Sequence, residues 1–265
     1  MAEFYAAVLP SIALLIYVYK KDKKEKEPAK LLGKLFLGGT GAVIVSLILE
    51  ELFSAIVDSI TVEGSVMYAV LTGFIVAGFT EEWSKLMFLK HLTWKSRHYD
   101  CVFDGIVYSV FVSLGFATLE NIFYVSDGGL LVAISRMITA IPGHACFAVI
   151  MGYYYSMSKV AFKNEDAVAY RKAKRNTLLM PMLGHGLYDA LLMMDGGVAS
   201  NFIVLAARLF WIAYVIMLFT DSFRLVSRAS NRDEYILYSD EDTNVSFTEY
   251  ADLAKKKKRK RTDKK

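Results

Sequence analysis

Carboxylates and histidines lie within stretches of this chain that are otherwise apolar. In chain order, the candidates are Glu81, Glu82, Glu120, Asn121, His144, His185 and Asp189. Ionisable groups at membrane depth cost free energy, so they indicate function by default. Two histidines and a carboxylate from different helices have the composition of a zinc site with an open coordination position. Carboxylates could also act there as general acids or bases.

Helical spacing predicts which of these side chains pair. Successive helical residues are about 100° apart, so Glu81 and Glu82 should not share one face. Lys85 is one turn from Glu81 and can form a structural ion pair with it. That pairing leaves Glu82 to serve as a general base or a ligand. His185 and Asp189 are also one turn apart, where they could converge on a metal or hydrogen-bond to each other.

His144 follows Pro142-Gly143, a pair that predicts a break in the helix. Non-helical backbone at membrane depth survives where protein or a water-filled cavity covers it. His144 could therefore line a cavity, or it could be a buried histidine that bonds a freed carbonyl.

Depth within the membrane separates the candidates further. In straight spans His144 and His185 fall about halfway across, whereas Glu120 falls on the order of 10 Å further out. Asp189 also falls in the outer third. We therefore expect Glu120 to form an ion pair, with Arg136 or Arg208 as its partner.

The elements that carry these residues are predicted to be transmembrane helices. The 265-residue chain is 55% apolar and 14% aromatic, with a mean hydropathy of +0.35, whereas soluble chains are about 45–50% apolar. A spanning helix needs about 20 apolar residues. Seven stretches qualify: 3–19, 34–53, 66–89, 102–125, 130–157, 177–194 and 201–220. The fold class is therefore all-α, a polytopic transmembrane bundle of about seven spans.

Basic residues alternate between the connections. They concentrate in 20–34, 85–97, 159–175 and the tail from Arg224, and they are absent from 54–65, 126–129 and 195–200. By the positive-inside rule, the N-terminus lies outside and the C-terminus in the cytosol of a multi-pass cell-membrane protein. Two cysteines exclude a disulfide scaffold.

The C-terminal segment differs in composition from the rest. We divide the chain into a membrane domain, residues 1–225, and a charged cytosolic tail, residues 226–265, which we predict to be disordered. The tail could be a solvated appendage, or it could bind anionic lipid headgroups at about 1 kcal/mol per basic residue. The lipid-binding candidates are Lys255, Lys256, Lys257, Lys258, Arg259, Lys260 and Arg261.

Four motifs occur in a fixed order along the chain: Glu-Glu-x-x-Lys at 81–85, Gly-Phe-Ala-x-x-Glu-Asn at 115–121, His144 followed by Gly-Tyr-Tyr at 152–154, and His-Gly-Leu-Tyr-Asp at 185–189. These motifs and their order resemble those of the PrsW family of intramembrane metalloproteases. The resemblance covers roughly residues 1–225. That family is similar to the CAAX prenyl endopeptidases and the bacteriocin-immunity membrane proteases. The long polybasic tail departs from the family pattern and leaves regulation and substrate open.

The resemblance implies hydrolysis of a peptide bond in or near the transmembrane segment of a membrane-protein substrate, in the best-known case an anti-sigma factor. By motif, Glu81 and Glu82 match the family's glutamate pair, and His144 and His185 match its histidines. The expected partners are membrane lipids and a single-span membrane-protein substrate, without nucleic acid. The oligomeric state stays open.

Two mechanisms are compatible with these residues. In the first, His144 and His185 hold Zn²⁺ with a carboxylate from Glu120, Asp189 or the glutamate pair, and Glu82 or Glu81 takes a proton from water. In the second, the glutamate activates water without a metal. The histidines or Asn121 would then stabilise the oxyanion.

Two other classes of protein fit the same residues. A proton or cation transporter would string the ionisable groups across the membrane as a relay. A protease needs them within about 3 Å of one water. A non-catalytic membrane scaffold of the same fold is the third possibility.

Overall fold

Helices dominate the computed structural model, which describes residues 2–194 and 200–236. The elements are α1 (Ala2–Lys21), α2 (Ala29–Ile60), α3 (Val66–Leu71), a π-helical segment (Thr72–Phe79), α4 (Thr80–Thr93), α5 (Asp104–Ile138), α6 (Ala140–Lys163), α7 (Ala167–Met193) and α8 (Asn201–Asn231). The described residues contain no β-strand, only an isolated bridge between Cys101 and Tyr235. The all-α prediction is confirmed.

Five stretches are long and apolar enough to cross a membrane: Phe4–Lys21, Ala29–Ile60, Asp104–Ser126, Gly128–Lys163 and Asn201–Asn231. They confirm a multi-pass membrane protein. The predicted spans 66–89 and 177–194 instead fall in α3 to α4 and in α7, which carry more polar residues. The count of seven spans and the orientation of the termini stay predictions.

The outer helices expose large apolar side chains, while the first part of α5 is buried. On α2, Leu37, Ile44 and Ile48 are each more than 60% exposed. On α5, Val107 and Leu114 are fully buried, whereas Leu131 is 83% exposed. This distribution suits a bundle whose peripheral surfaces face lipid and whose centre contains the first part of α5.

Close backbone contacts bring α2 against α5. A Cβ atom at Gly39 would lie 1.9 Å from the carbonyl oxygen of Val112, and one at Gly115 would lie 2.0 Å from that of Phe36. Only glycine fits at such an approach. The contact fixes α5, which carries Glu120 further along, beside α2.

The third predicted span is interrupted. Instead of one straight helix over 66–89, the chain forms α3, the π-helical segment and α4. Glycines in the π-helical segment contact the middle of α7: a Cβ at Gly73 would lie 2.7 Å from the carbonyl oxygen of Gly186, and one at Gly78 would lie 2.9 Å from its nitrogen. π-helical turns recur at functional sites. Here the segment presents the start of α4 to His185.

The predicted break at Pro142-Gly143 lies elsewhere. The structure ends α5 at Ile138 and begins α6 at Ala140, with Thr139 at φ −120° and ψ −63° between them. Pro142 is consequently in the first turn of α6, where its missing N–H removes no helical bond. The stretch 130–157 is thus shared between α5 and α6.

The end of α8 lies beyond the predicted domain boundary. The boundary at residue 225 falls inside α8, which continues to Asn231. The chain then runs along the residues before α5, where the Val102 N–H donates to the Glu234 carbonyl at 3.0 Å. Cys101 and Cys146 are both free. The predicted lipid-binding residues 255–261 lie outside the described residues.

Candidate active site

The glutamate pair at the start of α4 binds one buried lysine. The Lys85 ammonium lies 3.0 Å from Glu81 Oε2 and 2.8 Å from Glu82 Oε1. Lys85 is 1% exposed and Glu82 is fully buried. We predicted an ion pair for Glu81 alone and a separate direction for Glu82. The prediction of separate directions is wrong, because two long side chains at i−3 and i−4 can both reach one ammonium.

His185, on α7, bridges two carboxylates. Its Nδ1 lies 2.9 Å from Glu82 Oε1, and its Nε2 lies 3.1 Å from Asp189 Oδ2. A neutral imidazole has only one N–H, so only the doubly protonated ring donates to both. The predicted one-turn pairing of His185 with Asp189 is present, and the link to Glu82 joins α7 to α4.

His144, in the first turns of α6, links Lys85 to α5. Its Nδ1 lies 3.0 Å from the Lys85 ammonium, and its Nε2 lies 2.8 Å from Glu120 Oε2. Because an ammonium can only donate, Nδ1 accepts and Nε2–H donates to the Glu120 carboxylate. Ser113 fixes the backbone there by donating its hydroxyl to the His144 carbonyl at 2.9 Å.

Glu120 forms the predicted ion pair with an arginine. It also contacts His144, which its predicted depth in the membrane did not indicate. Arg136 Nη2 lies 2.8 Å from Glu120 Oε1, as expected for one of the two arginines proposed. Arg208 instead donates to the Leu192 carbonyl. The predicted separation of about 10 Å does not keep Glu120 from His144, because Glu120 Oε2 lies 2.8 Å from His144 Nε2.

Asn121 lies behind this group. Its Oδ1 accepts from Arg136 Nε at 2.7 Å, and its Nδ2 is buried without a hydrogen-bond partner among the described residues. Asn121 is fully buried. The structure places it against Arg136 and not beside the histidines.

Four of the candidates converge. Ligand atoms of Glu81, Glu82, His144 and His185 all lie within 4.8 Å of one another. The histidine rings are edge to face, with centroids 5.1 Å apart. Among the residues that the structure describes, Asp189 contacts this group through His185. Convergence at one point is the arrangement that a hydrolytic site needs, whereas a relay would be spread along the membrane normal.

Sequence reasoning missed two supporting residues. Phe147 stacks on His185, with ring centroids 4.7 Å apart at 17°. Glu50, on α2, accepts from Ser46 Oγ at 2.5 Å and lies 3.4 Å from Thr80 Oγ1. Phe147 lies one turn after His144, and this spacing could have indicated that it contacts the site. The role of Glu50 could not be predicted in this way, because it depends on how α2 packs against the other helices.

A partly open cavity of about 220 Å³ leads to the site. Its wall includes Glu50, Glu81, Glu120, Phe116 and Tyr124, from α2, α4 and α5. Glu82, His144 and His185 lie deeper. Water and part of a peptide therefore reach Glu81 first.

The donor set fits a metal ion in composition and spacing. Carboxylate oxygens and imidazole nitrogens are the ligands that Zn²⁺ takes in catalytic sites. Glu82 Oε2 is buried without a hydrogen-bond partner among the described residues, which leaves a carboxylate oxygen available. Lys85 already contacts three of the four residues. A cation would have to share these ligands with the ammonium or displace it.

Comparison with known proteins decides the family. A family model described as "PrsW family intramembrane metalloprotease" matches residues 27–219. The chain belongs to the PrsW family. A "Protease PrsW" from Geobacillus kaustophilus (strain HTA426) is 36% identical over 188 residues, which cover 71% of this chain and 78% of that protein.

Other PrsW-family proteins match over similar lengths. "Protease PrsW" of Clostridioides difficile (strain 630) is 32% identical over 78% of this chain and 86% of its own length. That of Bacillus subtilis (strain 168) is 36% identical over 71% and 81%. No solved structure matches the chain. The chain is a PrsW-family membrane protease, and the predicted resemblance is confirmed.

Proposed function

We propose that this chain is an endopeptidase that cuts a peptide bond in or near the transmembrane segment of a single-span membrane protein, with anti-sigma factors as the substrate class. The observation that carries the proposal is the convergence of Glu81, Glu82, His144 and His185 beneath a cavity among membrane helices. A helical peptide shields its carbonyls, so the substrate must present an unwound segment at that cavity.

Glu81 is the best candidate for the general base. Of the four converging residues, it alone lines the cavity, so it alone meets water directly. Sequence reasoning favoured Glu82 for this role. Glu82 is instead held by Lys85 and His185 and suits a ligand or positioning role. Proton transfer by a placed carboxylate is worth about 10²–10⁴-fold in rate.

A metal would be held by His144, His185 and Glu82, and we propose Zn²⁺. A bound Zn²⁺ lowers the pKa of a bound water to about 7 and polarises the scissile carbonyl. Asp189 orients the His185 ring through Nε2, as carboxylates do behind metal-binding histidines. Glu120 does the same for His144, and Arg136 fixes Glu120.

The metal-free mechanism uses the same residues differently. Lys85 then supplies the fixed positive charge beside Glu81 and Glu82, and Glu81 activates water alone. The positive charge of a doubly protonated His185 would stabilise the oxyanion. Asn121 is bound to Arg136, so its support for either mechanism acts through Arg136 and Glu120.

Cleavage of a defined reporter tests the proposal. A single-span anti-sigma factor carrying an epitope tag at each end is co-expressed with the wild type or with Glu81→Gln, and fragments are followed by immunoblot. We expect cleavage only with the wild type. Equal cleavage in both strains, or none in either when expression and folding are matched, contradicts the proposal.

Metal content separates the two mechanisms. The wild type and a His144→Ala/His185→Ala double variant are purified in detergent and compared for zinc per chain. About one zinc in the wild type and little in the variant is expected for the metal site. Wild type that stays metal-free after zinc is added, but still cuts the reporter, would establish the glutamate mechanism.

A further inference from the structure

A large groove between α4 and α7, with α6 at its floor, lies apart from the active-site cavity. Its volume is about 1130 Å³, above the range of about 300–1,000 Å³ that is usual for small-molecule sites. Trp83 lines the groove, whereas Glu81 lines the active-site cavity. Positions two apart on a helix lie about 200° from each other, so the two openings are on opposite sides of α4.

One end of the groove is apolar. Phe79 precedes α4, Trp83 and Met87 lie one and two turns further along, and Leu179 and Met182 line the groove from α7. Trp83 is 37% exposed and Met87 is 38% exposed. Residues four apart form a continuous stripe along a helix. This end therefore offers a surface that suits hydrocarbon and not water.

The other end of the groove is basic. Arg171, Lys174 and Arg175 are exposed and line the groove from α7. They lie on one face of the helix, because they are three and four residues apart. Lys90 lines the same end from α4. The groove therefore combines an apolar channel with a concentration of positive charge at one end.

Two acidic residues before α7 reduce this charge without cancelling it. Asp166 is the N-cap of α7, and its carboxylate accepts from the N–H groups of Val168 and Ala169 at 3.0 Å. Glu165 is the other acidic residue in the lining. Four basic and two acidic residues leave the groove with a net positive charge, which favours an anionic occupant.

Aromatic side chains indicate the depth of the basic end. Trp94 packs edge to face against Phe162 and Tyr170, with ring centroids 5.8 and 6.5 Å apart. The Lys174 ammonium lies 6.0 Å from the centroid of the Tyr170 ring. Tryptophan and tyrosine are enriched where a membrane meets water. The basic end therefore belongs at the level of the lipid headgroups.

The length of the groove suits one leaflet of a bilayer. Between Lys174 and Met182, α7 rises about 12 Å. Half of the hydrocarbon core of a bilayer is about 15 Å thick. A lipid whose phosphate lies beside Lys174 would therefore extend its acyl chains as far as Met182.

Charge favours a lipid over a substrate helix as the occupant. By the positive-inside rule, the basic end of the groove faces the cytosol, where the flanks of membrane-spanning segments are rich in lysine and arginine. The basic end would repel such a flank. It would attract the phosphate of an anionic lipid, and basic pockets between membrane helices bind such headgroups on the cytosolic side.

We propose that the groove between α4 and α7 binds one anionic phospholipid, with its phosphate at Arg171, Lys174 and Arg175 and its acyl chains along Trp83 and Met87. The lipid would fill the space between the two helices that carry Glu82 and His185. It would thereby support the contact between them from outside the active site. The site does not depend on whether the chain cleaves peptides, and it is separate from residues 255–261.

Tryptophan quenching in vesicles tests the proposal. The chain has three tryptophans, and Trp211→Phe leaves Trp83 and Trp94, which both line the groove. This full-length protein is reconstituted in phosphatidylcholine vesicles that contain phosphatidylglycerol or phosphatidylcholine with brominated acyl chains. Bromine quenches the fluorescence of a tryptophan that it touches. Half of the quenching should need an about 10-fold lower mole fraction of the brominated anionic lipid.

Two charge variants in the same background assign the preference. Arg171→Gln/Arg175→Gln should lose it, because two of the charges at the phosphate are gone. Lys30→Gln/Lys34→Gln removes the same charge from exposed positions on α2 and should keep it. Equal quenching by the two brominated lipids overturns the proposal. A preference that persists in Arg171→Gln/Arg175→Gln does so too.

A photoreactive residue distinguishes the lipid from a substrate helix. Benzoylphenylalanine in place of Met87, which lines the groove, is activated by light in vesicles that also contain the single-span reporter. Mass spectrometry should find phosphatidylglycerol attached at position 87. Attachment of the reporter's membrane span instead would show that a substrate helix occupies the groove, and would overturn the proposal.

Discussion

Two groups of buried carboxylates in this protein differ in how their negative charge is compensated. In the active site, Lys85 binds Glu81 and Glu82 while Arg136 binds Glu120, all at 2.8–3.0 Å. In a second group near the start of α5, which includes Asp22, Glu27 and Asp233, no described cation forms an ion pair with a member. The first group carries its own counter-charges, whereas in the second burial raises the pKa of Asp22 to about 6 and that of Glu27 to about 7.

The comparison shows that burial by itself does not say what a carboxylate does. Removing a charge from a compensated group leaves an uncompensated partner, which is strongly unfavourable. Removing a charge from a group of like charges relieves repulsion. Neutralising substitutions should therefore have opposite effects on stability in the two regions.

The largest effect is expected for Glu81→Gln. Loss of the general base should lower the rate of reporter cleavage by about 10²–10⁴-fold, measured with purified protease in proteoliposomes. Asp22→Asn, the corresponding change in the second group, should leave the cleavage rate within about 3-fold, because Asp22 does not contact the candidate active-site residues. Full activity of Glu81→Gln would show that another residue acts as the general base.

Lys85→Met should be the most destabilising substitution. It leaves Glu81 and Glu82 buried without their shared cation, at a cost of about 3–5 kcal/mol. Reversible unfolding in detergent and SDS measures the change. Lys90→Met, at an exposed position on the same helix, should cost less than about 1 kcal/mol. Equal costs for the two variants would show that Lys85 does not compensate the pair.

Phe147→Leu should lower activity through His185. The smaller side chain loses the ring that stacks on the imidazole, so the cleavage rate should fall by about 10-fold, and stability by about 1–2 kcal/mol. Phe219→Leu, at a partly buried position packed against the same apolar cluster, is the control. It should lose less stability and keep its rate; a similar loss of rate in both would assign Phe147 to packing alone.

Asp22→Asn should give the smallest effect and the opposite sign. Burial is the main cause of the raised pKa of Asp22, so removing its charge should raise the free energy of unfolding by about 1 kcal/mol. The same unfolding titration measures it, with Asp58→Asn as the unchanged control. A destabilised Asp22→Asn protein would mean that Lys26 or another group within the chain already compensates the Asp22 charge.

Periodicity and composition were sufficient to predict the membrane helices and most of the residues that converge at the candidate site. The apolar stretches predicted α1, α2, α5 and α8, because a bilayer requires long apolar helices with internally satisfied backbone. Single positions such as Glu50 and Phe147 were missed, because their roles depend on contacts between helices distant in sequence.

The predicted depths of the site residues were wrong where they assumed straight helices. Depth counted at a fixed rise placed Glu120 far from His144, yet their side chains are 2.8 Å apart. The break at Thr139, the non-helical Gly129 and the π-helical segment before Glu81 each change the depth of the residues that come after them in the chain. Such irregularities depend on packing and cannot be counted from residue numbers.

The sequence alone determined that this chain is a helical membrane protein and which side chains could carry out hydrolysis, since both depend on residue type and spacing. Only the tertiary structure decided that Lys85 contacts both glutamates, that Glu81 faces the cavity and that Glu120 reaches His144. The physical reason is that hydropathy and helical period act within one helix, whereas ion pairs, cavities and shared ligands form between helices.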